Sequence, residues 1–169
     1  MKPLVILVTS ISAYGHTNAC AGATRPFLAR GHRVIMLLEE SYKGSFSPYG
    51  FEECIYRRPG PPALLDNQSG QFWTKALTEY NILGPASPEE KLLNFARLYS
   101  NKLYQAEFVQ FNDAIAAALE MYKPDLVWVD SLTTPPAVYY SGIHWVKNVS
   151  VTPIFFEIED DLVPGGTGK

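Results

Sequence analysis

Short, unbroken apolar runs are the feature that most constrains this fold. PLVILVT at residues 3–9 and RVIMLL at 33–38 are apolar at nearly every position, and PDLVWVDS at 124–131 has an unbroken apolar centre, LVWV; all three contain β-branched residues. A strand that faces solvent on one side would instead alternate apolar and polar residues. These runs therefore predict parallel strands that are buried on both faces of a sheet.

Helical segments separate these strands. An amphipathic stretch from Asn18 to Arg30 is followed by Gly31, a typical helix stop, and Pro26 predicts a kink within the helix. Three further segments fit the same alternation: strands at 51–56 and 144–151, and a short helix at 134–141. Strands that alternate with helices predict an α/β domain with a parallel sheet flanked by helices and right-handed crossovers.

A long helix is predicted after SPEEK at residues 87–91. Ser87 suits the N-cap, Pro88 the first helical position and Glu90 the capping box. No Gly or Pro follows until Pro124, and apolar residues recur at three- and four-residue spacing with one change of phase. The pattern predicts one helix, bent near residue 103, whose stripe of Tyr, Phe and Leu belongs to the core.

Composition limits the classes of partner. The chain has 169 residues, 47% hydrophobic and 18% charged, with a formal net charge of -3. This size and balance predict one globular domain. The acidic net charge argues against a nucleic-acid partner, because binding phosphates requires clustered Lys and Arg residues. The best candidate for such a cluster, Arg57 and Arg58, is interpreted as part of a solvated loop. No run is long enough for a membrane span, and the start reads as a strand rather than a secretion signal. We expect a cytoplasmic chain whose Cys20 and Cys54 are free thiols.

His16 and Asp130 are the candidate catalytic pair. In open α/β sheets, ligands bind beyond the carboxyl ends of the strands, where the strand order reverses. With strand order 3-2-1-4-5, the loop after the first strand, which contains His16, meets the end of the fourth strand, where Asp130 lies. A neutral imidazole can accept a proton, and a carboxylate on its other nitrogen fixes the tautomer. The alternative is that both residues only cap the helices that follow them.

Other classes of enzyme lack their signatures. Glu39 or Glu40 could hold a ribose, but the first loop, TSISAYGH, lacks the G-x-G-x-x-G pattern of nicotinamide-binding proteins. No G-x-S-x-G nucleophile elbow and no Cys or His cluster with zinc spacing occurs in the sequence. We therefore expect neither a dehydrogenase, nor a serine hydrolase, nor a metal enzyme.

Three motifs resemble the amino-terminal half of a UDP-glycosyltransferase. They are GHTN at residues 15–18, ARGHRV at 29–34 and PDLVWVD at 124–130, and the likeness extends to NVSVTPIFF at 148–156. Enzymes of that family, of the GT-B type, have two facing Rossmann-like domains. The first holds the acceptor and the second holds most of the sugar nucleotide.

The resemblance implies roles for particular residues. His16 would deprotonate an acceptor hydroxyl, with Asp130 orienting it, and the oxygen would attack a UDP-sugar with inversion. Tyr14, Gly15 and Ser131 would contact the acceptor, a small lipophilic molecule. Phe72 and Trp73 would line its pocket, although they could equally be core residues. The chain itself would bind no cofactor, and the UDP-sugar would be a co-substrate.

The sequence departs from the family pattern at two residues. Ala19 stands where the family usually has proline, and Pro26 interrupts a helix that the family keeps regular. We expect residues 1–156 to form the Rossmann-like acceptor-binding domain and 157–169 a flexible tail, with the donor-binding domain absent. Without that domain the chain alone would transfer little or no sugar. The alternative is a truncated, non-catalytic domain that binds small apolar ligands.

Overall fold

The computed structural model describes residues 2–57 and 69–150, without the side chains of residues 69–73 and 103. The expected tail at 157–169, and residues 151–156 of the preceding segment, lie outside the described part. All of the structural findings below concern the described residues.

The five predicted strands form one parallel sheet. Their order is β3-β2-β1-β4-β5, which confirms the predicted order 3-2-1-4-5 and the α/β, Rossmann-like class. The strands are β1 (Val5–Ser10), β2 (Arg33–Glu39), β3 (Glu52–Tyr56), β4 (Leu126–Asp130) and β5 (Trp145–Lys147). Strands β1 and β4 are neighbours although more than 100 residues separate them, so the order reverses between them. Their carboxyl ends therefore define the crevice at which a ligand site is expected.

Helices connect these strands. They are α1 (Tyr14–Ala29), α2 (Ser69–Glu79), α3 (Pro88–Tyr99), α4 (Lys102–Tyr122) and the short α5 (Pro136–Tyr139). Helix α1 begins four residues earlier than the sequence predicted, because Ala13 is its N-cap and no side chain caps it. It continues across Pro26, which has no backbone N–H to donate to the carbonyl of Gly22.

Gly31 ends α1 as predicted. It has a φ of +81°, a conformation that glycine adopts without steric cost. Its N–H donates to the carbonyl of Leu28 at 2.9 Å, and the N–H of His32 donates to that of Phe27 at 3.0 Å. This pair of bonds is a Schellman motif, and it directs the chain into β2.

The predicted single long helix is wrong, because α3 and α4 are separate helices. The capping box at the start of α3 is present, with Ser87 and Glu90 as its reciprocal partners. Ser100 ends α3, and its hydroxyl donates to the carbonyl of Ala96 at 2.7 Å. Ser and Asn side chains compete for backbone hydrogen bonds, so Ser100 and Asn101 interrupt a helix even where Gly and Pro are absent.

The core lies on both faces of the sheet. On one face, Ile6, Val8 and Met36 pack with Cys20 of α1. On the other face, Leu7, Ile35, Val127 and Val129 pack with Ile115 and Ala118 of α4. Successive strand residues alternate between the two clusters, so burial on both faces explains the unbroken apolar runs.

Glu53 fixes the loop between β2 and β3. Its carboxylate accepts hydrogen bonds from the backbone N–H groups of Gly44, Phe46 and Ser47, at 2.7 to 2.9 Å. Burial by itself raises the pKa of Glu53, but the three donors together outweigh burial and lower the pKa below its ordinary value of 4.5. The ionised carboxylate therefore stabilises this loop.

Replacing Glu53 with glutamine is expected to lower the free energy of unfolding by about 1 kcal/mol near neutral pH, because the charge that strengthens these bonds is lost. Since the folded pKa is the lower one, the stabilisation is present above about pH 4.5 and is lost as the pH falls through the folded value. Urea unfolding of the unchanged protein and of Glu53→Gln, near pH 7 and near pH 3, measures this difference in unfolding free energy. Glu120→Gln, at an exposed position, is the control. An equal difference at both pH values would contradict this role of the charge.

Candidate functional site

The ends of β1 and β4 bring the predicted pair together. Ser10 is in register with Asp130, and the N–H of Ile11 donates to the carbonyl of Asp130 at 2.9 Å. His16 is the third residue of α1, and the buried Thr17 beside it contacts the hydroxyl of Ser10 at 3.2 Å. The first turn of α1 is thereby held against the end of β1, on the side where β4 ends.

His16 and Asp130 are in direct contact. The distance from His16 Nδ1 to Asp130 Oδ1 is 3.2 Å, and the side chains are 18% and 3% exposed. Neither residue is a helix cap, because Ala13 caps α1 and Pro135 precedes α5. The capping alternative is therefore wrong, whereas the catalytic role of the pair stays a prediction.

Asp130 is surrounded by hydrogen-bond donors. Asn148 Nδ2 donates to Oδ2 at 3.0 Å, and the thiol of Cys20 lies 3.7 Å from the same oxygen. Burial raises the pKa of Asp130, but hydrogen bonds from His16, Ser150 and Asn148 outweigh burial and lower the pKa below its ordinary value. The carboxylate is therefore ionised, as the partner of a histidine base must be.

The thiol of Cys20 acts as a donor in this group. It is fully buried, and burial followed by the charge of Asp130 raises its pKa far above the ordinary range. It consequently stays protonated and is a poor nucleophile. Within the described part of the chain, Cys20 and Cys54 are both free thiols, as the sequence predicted.

Ser150 provides a second contact to the imidazole. Its Oγ lies 2.7 Å from His16 Nδ1, the nitrogen that also faces Asp130. Among residues 2–57 and 69–150, no hydrogen bond reaches Nε2 of His16. The described residues thus contact one nitrogen of the ring, and none of them makes a hydrogen bond to the other.

A cavity opens at the ends of β1 and β4, where Ser131 follows Asp130, although neither His16 nor Asp130 itself lines it. Its volume is about 600 Å³, within the range of small-molecule sites. Ser10, Ser12 and Ser131 line one side, next to the strand ends. The aromatic part of the lining consists of Tyr56 from β3, Tyr99 from the end of α3, and Tyr104, Phe108 and Phe111 from α4. Gln105 and Glu107 of α4 also line the cavity. The cavity is therefore mostly apolar and carries a few polar side chains, which suits a small lipophilic molecule.

The other predicted contact residues have different positions. Ser131 lines the cavity, and its hydroxyl donates to the carbonyl of Thr133 at 2.6 Å. Tyr14 is half exposed and packs edge-on against Tyr42, with ring centroids 5.0 Å apart. Gly15 faces open space, so a Cβ there would meet nothing within 4 Å. The predictions for Phe72 and Trp73 fall outside the described side chains.

Sequence reasoning missed two groups of residues. The stripe of Tyr, Phe and Leu was assigned to the core, but Tyr99, Tyr104, Phe108 and Phe111 line the cavity. Among the described side chains of the stripe, only Ile115 and Ala118 are fully buried. The available signal was the change from aromatic to aliphatic and small residues along the stripe. Asn148 and Ser150 were also missed, because only the folded chain shows that the segment after β5 turns back over His16.

The described residues contain neither a metal-binding cluster nor a helix that could cross a membrane. No cluster of His, Cys, Asp or Glu within residues 2–57 and 69–150 could hold a metal ion. None of the helices in that part of the chain combines the length and the apolar character that crossing a bilayer requires.

Sequence comparison finds no match, either to a protein-family model or to a curated protein. Structural comparison does find matches. The glycosyltransferase of kitacinnamycin has a TM-score of 0.56 at 19% identity, and the Streptomyces sp. SF2575 glycosyltransferase SsfS6 has 0.58 at 21%. UGT73P12 of Glycyrrhiza uralensis, complexed with glycyrrhetinic acid 3-O-monoglucuronide, has 0.56 at 14%. These matches cover 88%, 85% and 86% of this chain.

The chain spans about a third of each protein that it matches, namely 31%, 38% and 28% of their lengths. At these identities the comparison establishes the fold. The chain has the fold of a part of these glycosyltransferases, consistent with the amino-terminal half of a two-domain enzyme of the GT-B type. The resemblance that the sequence motifs indicated is thus confirmed at the level of the fold.

Proposed function

We propose that this chain is the acceptor-binding half of an inverting UDP-glycosyltransferase. The observation that supports it best is the His16–Asp130 pair at the switch point of the sheet, with the nitrogen Nε2 unoccupied by described residues. The apolar cavity next to the same strand ends supports it independently. Both features lie where α/β proteins bind their ligands.

The proposed reaction is a single displacement. His16 Nε2 accepts the proton of the acceptor hydroxyl, and Asp130 stabilises the imidazolium that forms. The acceptor oxygen forms a bond to the anomeric carbon as the bond from that carbon to the phosphate oxygen breaks. UDP leaves with the bonding electron pair, and one displacement inverts the anomeric configuration. The chain needs no metal or bound cofactor for this step.

The cavity is the proposed acceptor site. Its tyrosine and phenylalanine side chains present flat apolar area, and aromatic rings stack favourably on other rings. The hydroxyl groups of Ser12 and Ser131 lie on the side of the strand ends. A small lipophilic acceptor with a hydroxyl at one end would therefore bury its apolar body against α4 and direct its hydroxyl towards that side.

The nucleotide sugar would be bound mostly by a donor domain outside this chain. SsfS6 has been crystallised with thymidine diphosphate, and UGT89C1 of Arabidopsis thaliana, with a TM-score of 0.51, with UDP-L-rhamnose. Proteins of this fold therefore accommodate different nucleotides. We propose UDP because the sequence motifs resemble the UDP-dependent enzymes, and a test should include thymidine diphosphate sugars.

Transfer should be measured with the longest chain that the gene encodes. We expect a UDP-sugar and a hydroxylated aromatic acceptor to give a glycoside of inverted anomeric configuration, detected by mass spectrometry and proton NMR. Transfer from thymidine diphosphate sugars alone would correct the donor. Absence of product with every donor, for acceptors that demonstrably bind, would contradict the proposed function.

Ligand binding by residues 1–169 alone tests the second candidate, a non-catalytic domain that binds small apolar molecules. The aromatic cavity favours this candidate as well, because it needs no donor domain. Quenching of intrinsic fluorescence by hydroxylated aromatic compounds should give saturable binding under both proposals. Binding without transfer in the longest chain would support the non-catalytic domain.

A further inference from the structure

We propose that Asn148 is a positioning residue that acts through Asp130 and holds His16 in the tautomer with its proton on Nδ1. This inference rests on the proposed function, because the tautomer matters for catalysis only if Nε2 accepts the proton of the acceptor hydroxyl. The tautomer of His16, however, can be measured without any sugar transfer.

Asn148 orients the carboxylate by binding the oxygen that His16 does not use. Its Nδ2 donates to Asp130 Oδ2 at 3.0 Å, whereas His16 Nδ1 faces Oδ1 at 3.2 Å. The thiol of Cys20 approaches Oδ2 as well, at 3.7 Å. With Oδ2 held in this way, rotation of the carboxyl group is restricted, and Oδ1 is directed at the imidazole.

The backbone fixes Asn148 itself. Its N–H donates to the carbonyl of Val129 at 2.7 Å, which extends the pairing of β4 and β5 by one residue beyond Lys147. The end of β5 therefore places the amide of Asn148 beside the last residue of β4. The position of the amide depends on the sheet rather than on a free loop.

Ser150 can stabilise the other tautomer of His16, so the orientation of the Asp130 carboxylate matters. Its hydroxyl lies 2.7 Å from His16 Nδ1 and can donate to that nitrogen if the nitrogen has no proton. The proton would then be on Nε2, and His16 could no longer accept one there. The ionised Asp130, held in place by Asn148, favours the opposite arrangement, in which Nδ1–H donates to Oδ1.

Loss of the Asn148 amide should therefore shift the tautomer. In Asn148→Ala, Asp130 can rotate away and Ser150 can donate to Nδ1. We expect the ratio of the Nδ1–H to the Nε2–H form to fall roughly tenfold, the effect of one hydrogen bond to a charged group.

The experiment is NMR of residues 1–169 labelled with ¹⁵N-histidine, above about pH 8, where an ordinary imidazole is neutral. His32 is an internal reference of known tautomer, because its Nδ1 accepts from the N–H of Leu4 at 3.0 Å. Asn101→Ala is the matched control, since Asn101 also donates from Nδ2 to a side-chain oxygen, that of Tyr80 at 2.8 Å. An unchanged His32 signal shows that each variant is folded.

An unchanged His16 tautomer in Asn148→Ala, or an equal change in Asn101→Ala, would overturn the proposal. If the alanine variant does not fold, Asn148→Gln, which moves the amide by one methylene, must show the same shift. In the longest chain, Asn148→Ala should lower kcat about as much as the Nδ1–H fraction, with KM little changed. A tautomer shift in a protein without transfer activity would retain this inference and reject the proposed function.

Discussion

Replacing His16 with alanine in the longest chain is expected to lower kcat for sugar transfer by about 10²- to 10⁴-fold, the usual contribution of a positioned general base. KM for the acceptor should change little, because the cavity is formed mainly by α4 and the strand ends rather than by this side chain. Initial rates over a range of acceptor concentrations measure both constants.

A matched control is His144→Ala. The His144 side chain is exposed, and the hydrogen bond that this residue makes to β4 uses its backbone carbonyl, which accepts from the N–H of Val127 at 2.9 Å. The control should retain full activity. If His16→Ala keeps more than about a tenth of the kcat of the unchanged protein, His16 is not the general base.

Truncation of two residues of α4 should affect different properties, stability in one case and ligand binding in the other. Ile115 is fully buried between α4 and the sheet, so Ile115→Ala is expected to lower the free energy of unfolding by about 2–5 kcal/mol. Phe108 is 40% exposed and lines the cavity, so Phe108→Ala should have a smaller effect on stability and should weaken ligand binding.

Urea unfolding and fluorescence titration of the same two variants test this division. We expect Ile115→Ala to bind ligand with unchanged affinity wherever it is folded. If Phe108→Ala destabilises the protein as much as Ile115→Ala and leaves affinity unchanged, the first half of the aromatic stripe is core, and the cavity is not the ligand site.

The strands themselves followed from local sequence patterns, and the meeting of His16 with Asp130 followed from the strand order expected of a Rossmann-like fold. Continuous apolar runs identify buried parallel strands, and the order 3-2-1-4-5 places the ends of β1 and β4 side by side. The stop at Gly31 and the capping box at Ser87 were likewise visible, since both depend on residues within a few positions of each other.

Other features depend on contacts that no local pattern encodes. Ser150 reaches His16 across 134 positions, and Asn148 reaches Asp130 through the pairing of β5 with β4. The start of α1 was misplaced because the amphipathic pattern begins only at Asn18, whereas the helix begins at Tyr14 without a capping side chain. The break after Tyr99 was missed because only Gly and Pro were taken as helix breakers.

The most direct test of the central claim is a crystal structure of residues 1–169 with a bound hydroxylated acceptor. We predict that the ligand occupies the cavity between α4 and the strand ends, and that one hydroxyl oxygen lies about 3 Å from His16 Nε2, or one water molecule away. A ligand in that cavity whose hydroxyl groups all lie farther from Nε2, or a ligand bound elsewhere, would contradict the assignment of His16 and Asp130 as the pair that activates the acceptor.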